Sequence, residues 1–134
     1  MKKTLLAMTF LLLSSMSYAT EETTIECKED GTQAEMNSCA YDTFEKADKE
    51  LNRVYNELRK VKKEDKLFLK NLKKSQKAWI VFRDLDLKAQ FTCESGNIRA
   101  CFGSMYALSF NSAKAELTNQ RVKTLKGMLD EASL

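Results

Sequence analysis

Residues 32–61 read TQAEMNSCAYDTFEKADKELNRVYNELRKV, and this stretch decides the fold class. Thr32-Gln33-Ala34-Glu35 matches a capping box, in which the Thr32 side chain accepts from the Glu35 amide while Glu35 reaches back to Thr32. Behind it, Met36, Ala40, Phe44, Ala47, Leu51, Tyr55 and Leu58 recur at helical spacing, which makes one apolar stripe on a helix running to about Val61. A polar joint follows at Lys62 to Asp65, with Asp65 placed to cap a second helix. That helix spans about Lys66 to Phe91 and carries Phe68, Leu72, Trp79, Phe82 or Arg83, and Leu87. A third, about Ser104 to Leu129, sets Phe110, Ala113, Leu117, Arg121, Leu125 and Met128 on one face, with Gly127 weakening its last turn. The chain holds no proline and four glycines, and no stretch alternates cleanly as a strand would. The pattern predicts an all-α fold: an antiparallel three-helix bundle stapled by two disulfides.

The N-terminus points to export. Lys2 and Lys3 precede an apolar run from Leu5 to Leu13, and Ser14 to Ala19 is a small-residue stretch ending Ser17-Tyr18-Ala19. This is the pattern of a signal peptide cleaved after Ala19. The run is shorter than the roughly 18 apolar residues a membrane-spanning helix needs. Residues 1–19 are therefore read as leader and 20–134 as one helical domain, periplasmic or secreted, with no stable membrane anchor after cleavage.

Cys27, Cys39, Cys93 and Cys101 are the four cysteines, an even number in an oxidising compartment. Three pairings are possible. Cys27–Cys39 and Cys93–Cys101 each close a short loop across an otherwise irregular segment and are favoured. With no histidine in the chain and no C-x2-C spacing, a zinc site is not indicated. Ser–His and Cys–His catalytic pairs are excluded for the same reason, and nothing calls for a cofactor. The glutamates of 21–29 lie where nothing fixes their spacing. The sequence therefore predicts a protein that binds rather than catalyses.

Without Lys2 and Lys3 the net charge is +1, but the charge is uneven. Residues 20–50 carry ten acids and three bases, and residues 51–100 carry thirteen bases and six acids. Nucleic acid is a poor partner outside the cytoplasm. The basic run Arg59, Lys60, Lys62, Lys63, Lys66, Lys70, Lys73, Lys74 and Lys77 reads first as a solvated face, and second as a surface for anionic glycans or lipid head groups.

Polar residues interrupt the apolar stripes. If the first two helices form a hairpin turning near Lys63, Leu58 meets Leu69, Tyr55 meets Leu72, and Asp48 lies opposite Trp79 within a turn of Arg83. Asp48, Asn52, Gln76 and Arg83 would then form a structural polar network, because a buried charge without a partner costs several kcal/mol.

Ala47-Asp48, Leu51-Asn52, Tyr55 and Leu58 are similar to the "AD–LN–Y–L" signature of the LprI-type lysozyme-inhibitor family. Leu72, Gln76, Ala78-Trp79-Ile80 and Phe82-Arg83-Asp84 are similar to its "L–Q-AWI-FRD" signature. Leu117-Thr118, Arg121 and Leu125 are similar to its closing "LT–R–L". Tyr55, Trp79 and Arg121 are the distinctive residues of the three. The family often has cysteines where this chain has Leu87 and Ala113, so one bonded pair replaced by another accounts for both differences and supports Cys93–Cys101. The resemblance implies an exported helical protein whose partner is a lysozyme or similar muramidase. Lysozymes are usually cationic, so Asp42, Glu45 and Glu50 on the acidic half are the candidate docking charges. Asn97, Ile98 and Arg99, the tip of the Cys93–Cys101 loop, are the candidate insert into an active-site cleft. The alternative is an envelope structural or stress protein that binds glycan or another periplasmic protein.

Overall fold

The computed structural model describes residues 25–132, and the expected leader lies outside the described residues. Three long helices, one five-residue helix and a 3-10 turn make up the described residues, with no strand among them. Helix α1 spans Gln33–Val61. Its capping box forms as the sequence expects: Glu35 N–H donates to Thr32 Oγ1 at 3.3 Å, and Thr32 N–H donates to Glu35 Oε2 at 2.7 Å. The Cys27–Cys39 disulfide and a hydrogen bond from Ser38 Oγ to Ile25 O tie the preceding segment back along α1. Helix α2 spans Lys66–Gln90, opened by Asp65, whose Oδ1 accepts the Phe68 N–H at 2.8 Å.

The Cys93–Cys101 disulfide brackets the next connection. Within it, helix α3, Ile98–Phe102, is capped by the Asn97 side chain. The chain turns on either side of α3 at Gly96 (φ 67°) and Gly103 (φ 62°). Both sit in left-handed backbone, where a side chain would be strained. Helix α4 runs Tyr106–Ala132. It therefore continues through Gly127 to three residues beyond the expected end.

The core lies between α1 and α4. Leu51, Val54 and Leu58 pack with Val122 and Leu125, and Leu72 of α2 closes the cluster. Full burial of each such side chain contributes about 1.5–3 kcal/mol of transfer free energy. Contacts from α1 climb it and α4 together: Asn37 reaches Ser104 in the 3-10 turn just before α4, the Lys114 ammonium sits over the Phe44 ring, and Glu50 pairs with Lys126. Contacts from α2 to α4 run in the opposite order, Gln76 meeting Arg121 and Phe91 meeting Tyr106. Phe91, Phe102, Tyr106 and Phe110 form one aromatic cluster that locks the end of α2 and the disulfide loop onto α4.

Two expectations change. The fully buried face of α4 is Ala115, Thr118, Val122 and Leu125, one residue round from the expected stripe. Thr118 looks polar, but its hydroxyl donates to the Lys114 carbonyl at 2.7 Å, which frees the rest of the side chain to pack. Phe110 and Arg121, from the expected stripe, meet α2 instead. The hairpin register is not reproduced pair by pair: near the turn Tyr55 and Leu69 line one groove and Leu58 and Leu72 share the core, where the register set Leu58 against Leu69 and Tyr55 against Leu72. Farther along, α4 takes the place beside α1 that the register gave to α2.

Gly127 lies in helical backbone with open space where a Cβ would go. Gly127→Ala should raise stability by about 0.5–1 kcal/mol, because it lowers only the entropy of the unfolded chain and adds no clash. Urea unfolding of the two proteins checks this.

Candidate functional site

Helix α2 has two apolar faces, and only one is covered. Leu72 and Leu87 point inward, with Phe68 and Trp79 half-buried against the core. Val81, Phe82 and Leu85 are each more than half exposed, and Ile80 is 40% exposed. The sequence left open whether Phe82 or Arg83 faces in. It is Arg83, buried beneath the surface, with its guanidinium 5.2 Å from the centre of the Trp79 ring. Its Nε and Nη2 both donate to Asp84 Oδ1, at 3.0 and 2.9 Å. The neighbouring carboxylate and the indole face together offset the cost of burying that charge.

The expected polar network does not assemble from the four residues named for it. On α1, Asn52 Nδ2 donates to the Asp48 carboxylate and carbonyl, so that pair satisfies itself within one turn. Gln76 turns to α4, where its Oε1 accepts from Arg121 Nε at 3.1 Å, and Ser75 Oγ accepts from Arg121 Nη2 at 2.8 Å. Arg121 thus bridges α4 to α2 across the molecule, and partial burial lowers its pKa. The reason is the helix pairing: α4, not α2, lies alongside this part of α1.

The acidic residues divide in two. Glu50 is already engaged, accepting from Arg53 Nε and Nη2 at 2.7 and 2.8 Å and pairing with Lys126 at 2.6 Å. Those cations hold its carboxyl at about 2. Asp42 and Glu45 make no ion pair among the described residues and remain as available negative charge. The Tyr41 hydroxyl hydrogen-bonds Glu45, which with the nearby negative charge raises the phenol's pKa.

At the tip of the disulfide loop, Asn97 is committed to capping α3 and Ile98 is half-buried, while Arg99 is exposed. Ser95 Oγ lies 3.4 Å from Cys93 Sγ and 3.7 Å from Cys101 Sγ, and accepts the Asn97 N–H, which rigidifies the loop. Since Asn37 contacts Ser104 just past this loop, the loop and the Asp42–Glu45 face share one end of the molecule. No cluster of three or more His, Cys, Asp or Glu side chains fit to hold a metal occurs among the described residues. No helix there is long and apolar enough to cross a membrane.

The outward stripe of α2 is the feature sequence reading missed. Its signal was present: Ala78, Phe82, Leu85 and Ala89 repeat at the same helical spacing as the inward residues. Trp79 drew attention to the other face.

These features define a small all-helical fold, held by two disulfides, with an uncovered apolar strip on α2 and a braced loop following that helix. The chain belongs to the lysozyme inhibitor LprI family, whose pattern matches residues 25–125. It is also 29% identical to an uncharacterized protein of Rhizobium meliloti (strain 1021) over 137 residues, covering 94% of each chain. No solved structure matches it. Tyr55, Trp79 and Arg121, distinctive in the sequence, sit at or around the core, which gives them a structural place rather than an exposed one.

The Glu50 pKa sets a pH test. Its folded value lies below the ordinary carboxylate range, so its contribution to stability is present above about pH 4.5 and is lost as pH falls through about 2. A carbon-13 carboxyl titration should place the Glu50 midpoint near 2, moving toward the ordinary range at high salt as its exposed cations are screened.

Proposed function

We propose that this chain is an exported, non-catalytic binding protein, built as an antiparallel three-helix bundle, that occludes a lysozyme-type muramidase. The observation that carries the proposal is the outward apolar strip of α2, which includes Phe82 of the family signature. Val81, Phe82 and Leu85 present an apolar strip to solvent where a helix of this fold needs only polar residues. Apolar and aromatic anchors of this kind supply most of the affinity in protein interfaces. Membership of the lysozyme inhibitor family supplies the partner class.

Asp42 and Glu45 add electrostatics. Lysozymes are usually cationic, and unpaired carboxylates at the same end as the loop would speed encounter without fixing the final pose. Glu50 adds less, because Arg53 and Lys126 already neutralise it. Asn97, Ile98 and Arg99 form the braced tip that would enter a cleft, with Arg99 the most available of the three. Export rests on the leader read at residues 1–19.

An envelope protein that binds glycan or another periplasmic protein is the competing assignment, favoured by the lysines of α2. A lysozyme inhibition assay on the oxidised mature protein separates the two. Phe82→Asp with Leu85→Lys should weaken inhibition by about 10- to 100-fold, mainly through faster dissociation, with helicity unchanged because both side chains are already exposed. Asp42→Lys with Glu45→Lys should slow association and flatten its salt dependence. Replacing Asn97, Ile98 and Arg99 together should speed dissociation. If chicken-type and goose-type lysozymes both stay fully active at high molar excess, the inhibitor assignment falls.

A further inference from the structure

The turn that joins α1 to α2 carries a second surface feature, far from the disulfide loop. Asn37 near the loop and Lys60 at the turn are separated by about 35 Å of helix. Here an open groove of about 750 Å³ is lined by Asn56, Arg59, Lys60, Lys63 and Leu69. It adjoins a second hollow of about 560 Å³, which shares Arg59 and Leu69 and adds Tyr55, Lys70 and Lys73. Five cations from two helices and the turn thus surround one groove with an apolar Tyr55–Leu69 floor.

None of these five cations has an ion pair among the described residues. The nearby carboxylates are used elsewhere or stand apart. Glu57 pairs with Arg53, and Asp65 caps α2. Glu64, in the turn itself, pairs with none of the five. Cations without an ion pair also occur elsewhere on the surface, Lys46 and Lys49 among them; what sets the groove apart is that five of them, from two helices and the turn, line adjoining hollows. Arg59 is also partly oriented: its guanidinium lies 5.8 Å from the centre of the Tyr55 ring, and its Nη1 donates to Asn56 Oδ1 at 3.4 Å.

We infer that this groove is a binding site for phosphate groups, sized for a ligand that carries two of them close together or for phospholipid head groups at a surface. An Arg fork takes two oxygens of one phosphate at once, and flanking lysines act as point charges on the rest. Arg59, Lys60 and Lys63 hold one side of the groove, and Lys70 and Lys73 hold the other, so one anion on each side relieves the repulsion among all five. This site is separate from the proposed lysozyme surface and does not depend on it.

The test uses the oxidised mature protein and two probes. Calorimetry measures binding of inorganic pyrophosphate, and sedimentation measures binding to vesicles of equal parts phosphatidylglycerol and phosphatidylcholine, against phosphatidylcholine alone. Arg59→Gln with Lys63→Gln, and separately Lys70→Gln with Lys73→Gln, should each weaken binding about tenfold or more. Lys46→Gln with Lys49→Gln removes the same charge from exposed positions elsewhere on α1 and should change binding by less than about twofold. Pyrophosphate binding supports a free phosphate ligand; vesicle binding alone supports head groups as the source. Binding of neither probe, or an equal loss in the Lys46 and Lys49 control, overturns the site. Lysozyme inhibition should be unchanged in both groove variants, so failure here leaves the inhibitor assignment untouched.

Discussion

Leu51, Val54 and Leu58 of α1 close against Val122 and Leu125 of α4, and most of the molecule's arrangement follows from that contact. Val54, Leu58 and Leu125 are wholly excluded from water. Two helices of 29 and 27 residues that share a core lengthwise leave the third only an edge to cover. Helix α2 meets that need with Leu72 and Leu87, half-buried Phe68 and Trp79, and the Arg121 bridge to Gln76 and Ser75. It has no inward room for Val81, Phe82 or Leu85. Their exposure is a consequence of the packing and the physical basis of the proposed interface.

The charges are sorted along the same axis. Toward the loop end Asp42 and Glu45 are unpaired, while Glu50, farther along α1, is neutralised from two sides. At the turn end, five cations gather around one groove and no acid answers them. The net charge of +1 over residues 20–134 conceals this separation, since the acidic excess of residues 20–50 and the basic excess of residues 51–100 cancel. A molecule so divided can approach a cationic protein with one end and a phosphate-bearing ligand with the other.

What was legible in the sequence was local. Thr32 with Glu35, and Asp65, mark helix starts through chemistry confined to a few residues, and each appears where its pattern placed it. The apolar stripe of α1 was equally readable, because a helix buries residues at a fixed period. Partnership between helices was not. Periodicity says which face is buried, never against what, and chain adjacency suggested α2 beside α1 where the structure has α4. That one choice misassigned the partners of Asp48, Asn52, Gln76 and Arg83. Thr118 hid for a different reason: its hydroxyl bonds its own helix, so a residue polar by type is apolar in effect. The uncovered strip on α2 was hidden by Trp79, whose size drew the inward face to attention while Phe82 repeats just as regularly on the other.

The most direct measurement is amide hydrogen exchange on the oxidised mature protein, alone and with excess chicken-type lysozyme. Binding through the proposed surface predicts new protection in Val81–Leu85 and in the Asn97–Arg99 tip, with the Arg59–Lys73 groove unchanged. Protection confined to the groove, or no change anywhere along the chain, would contradict it.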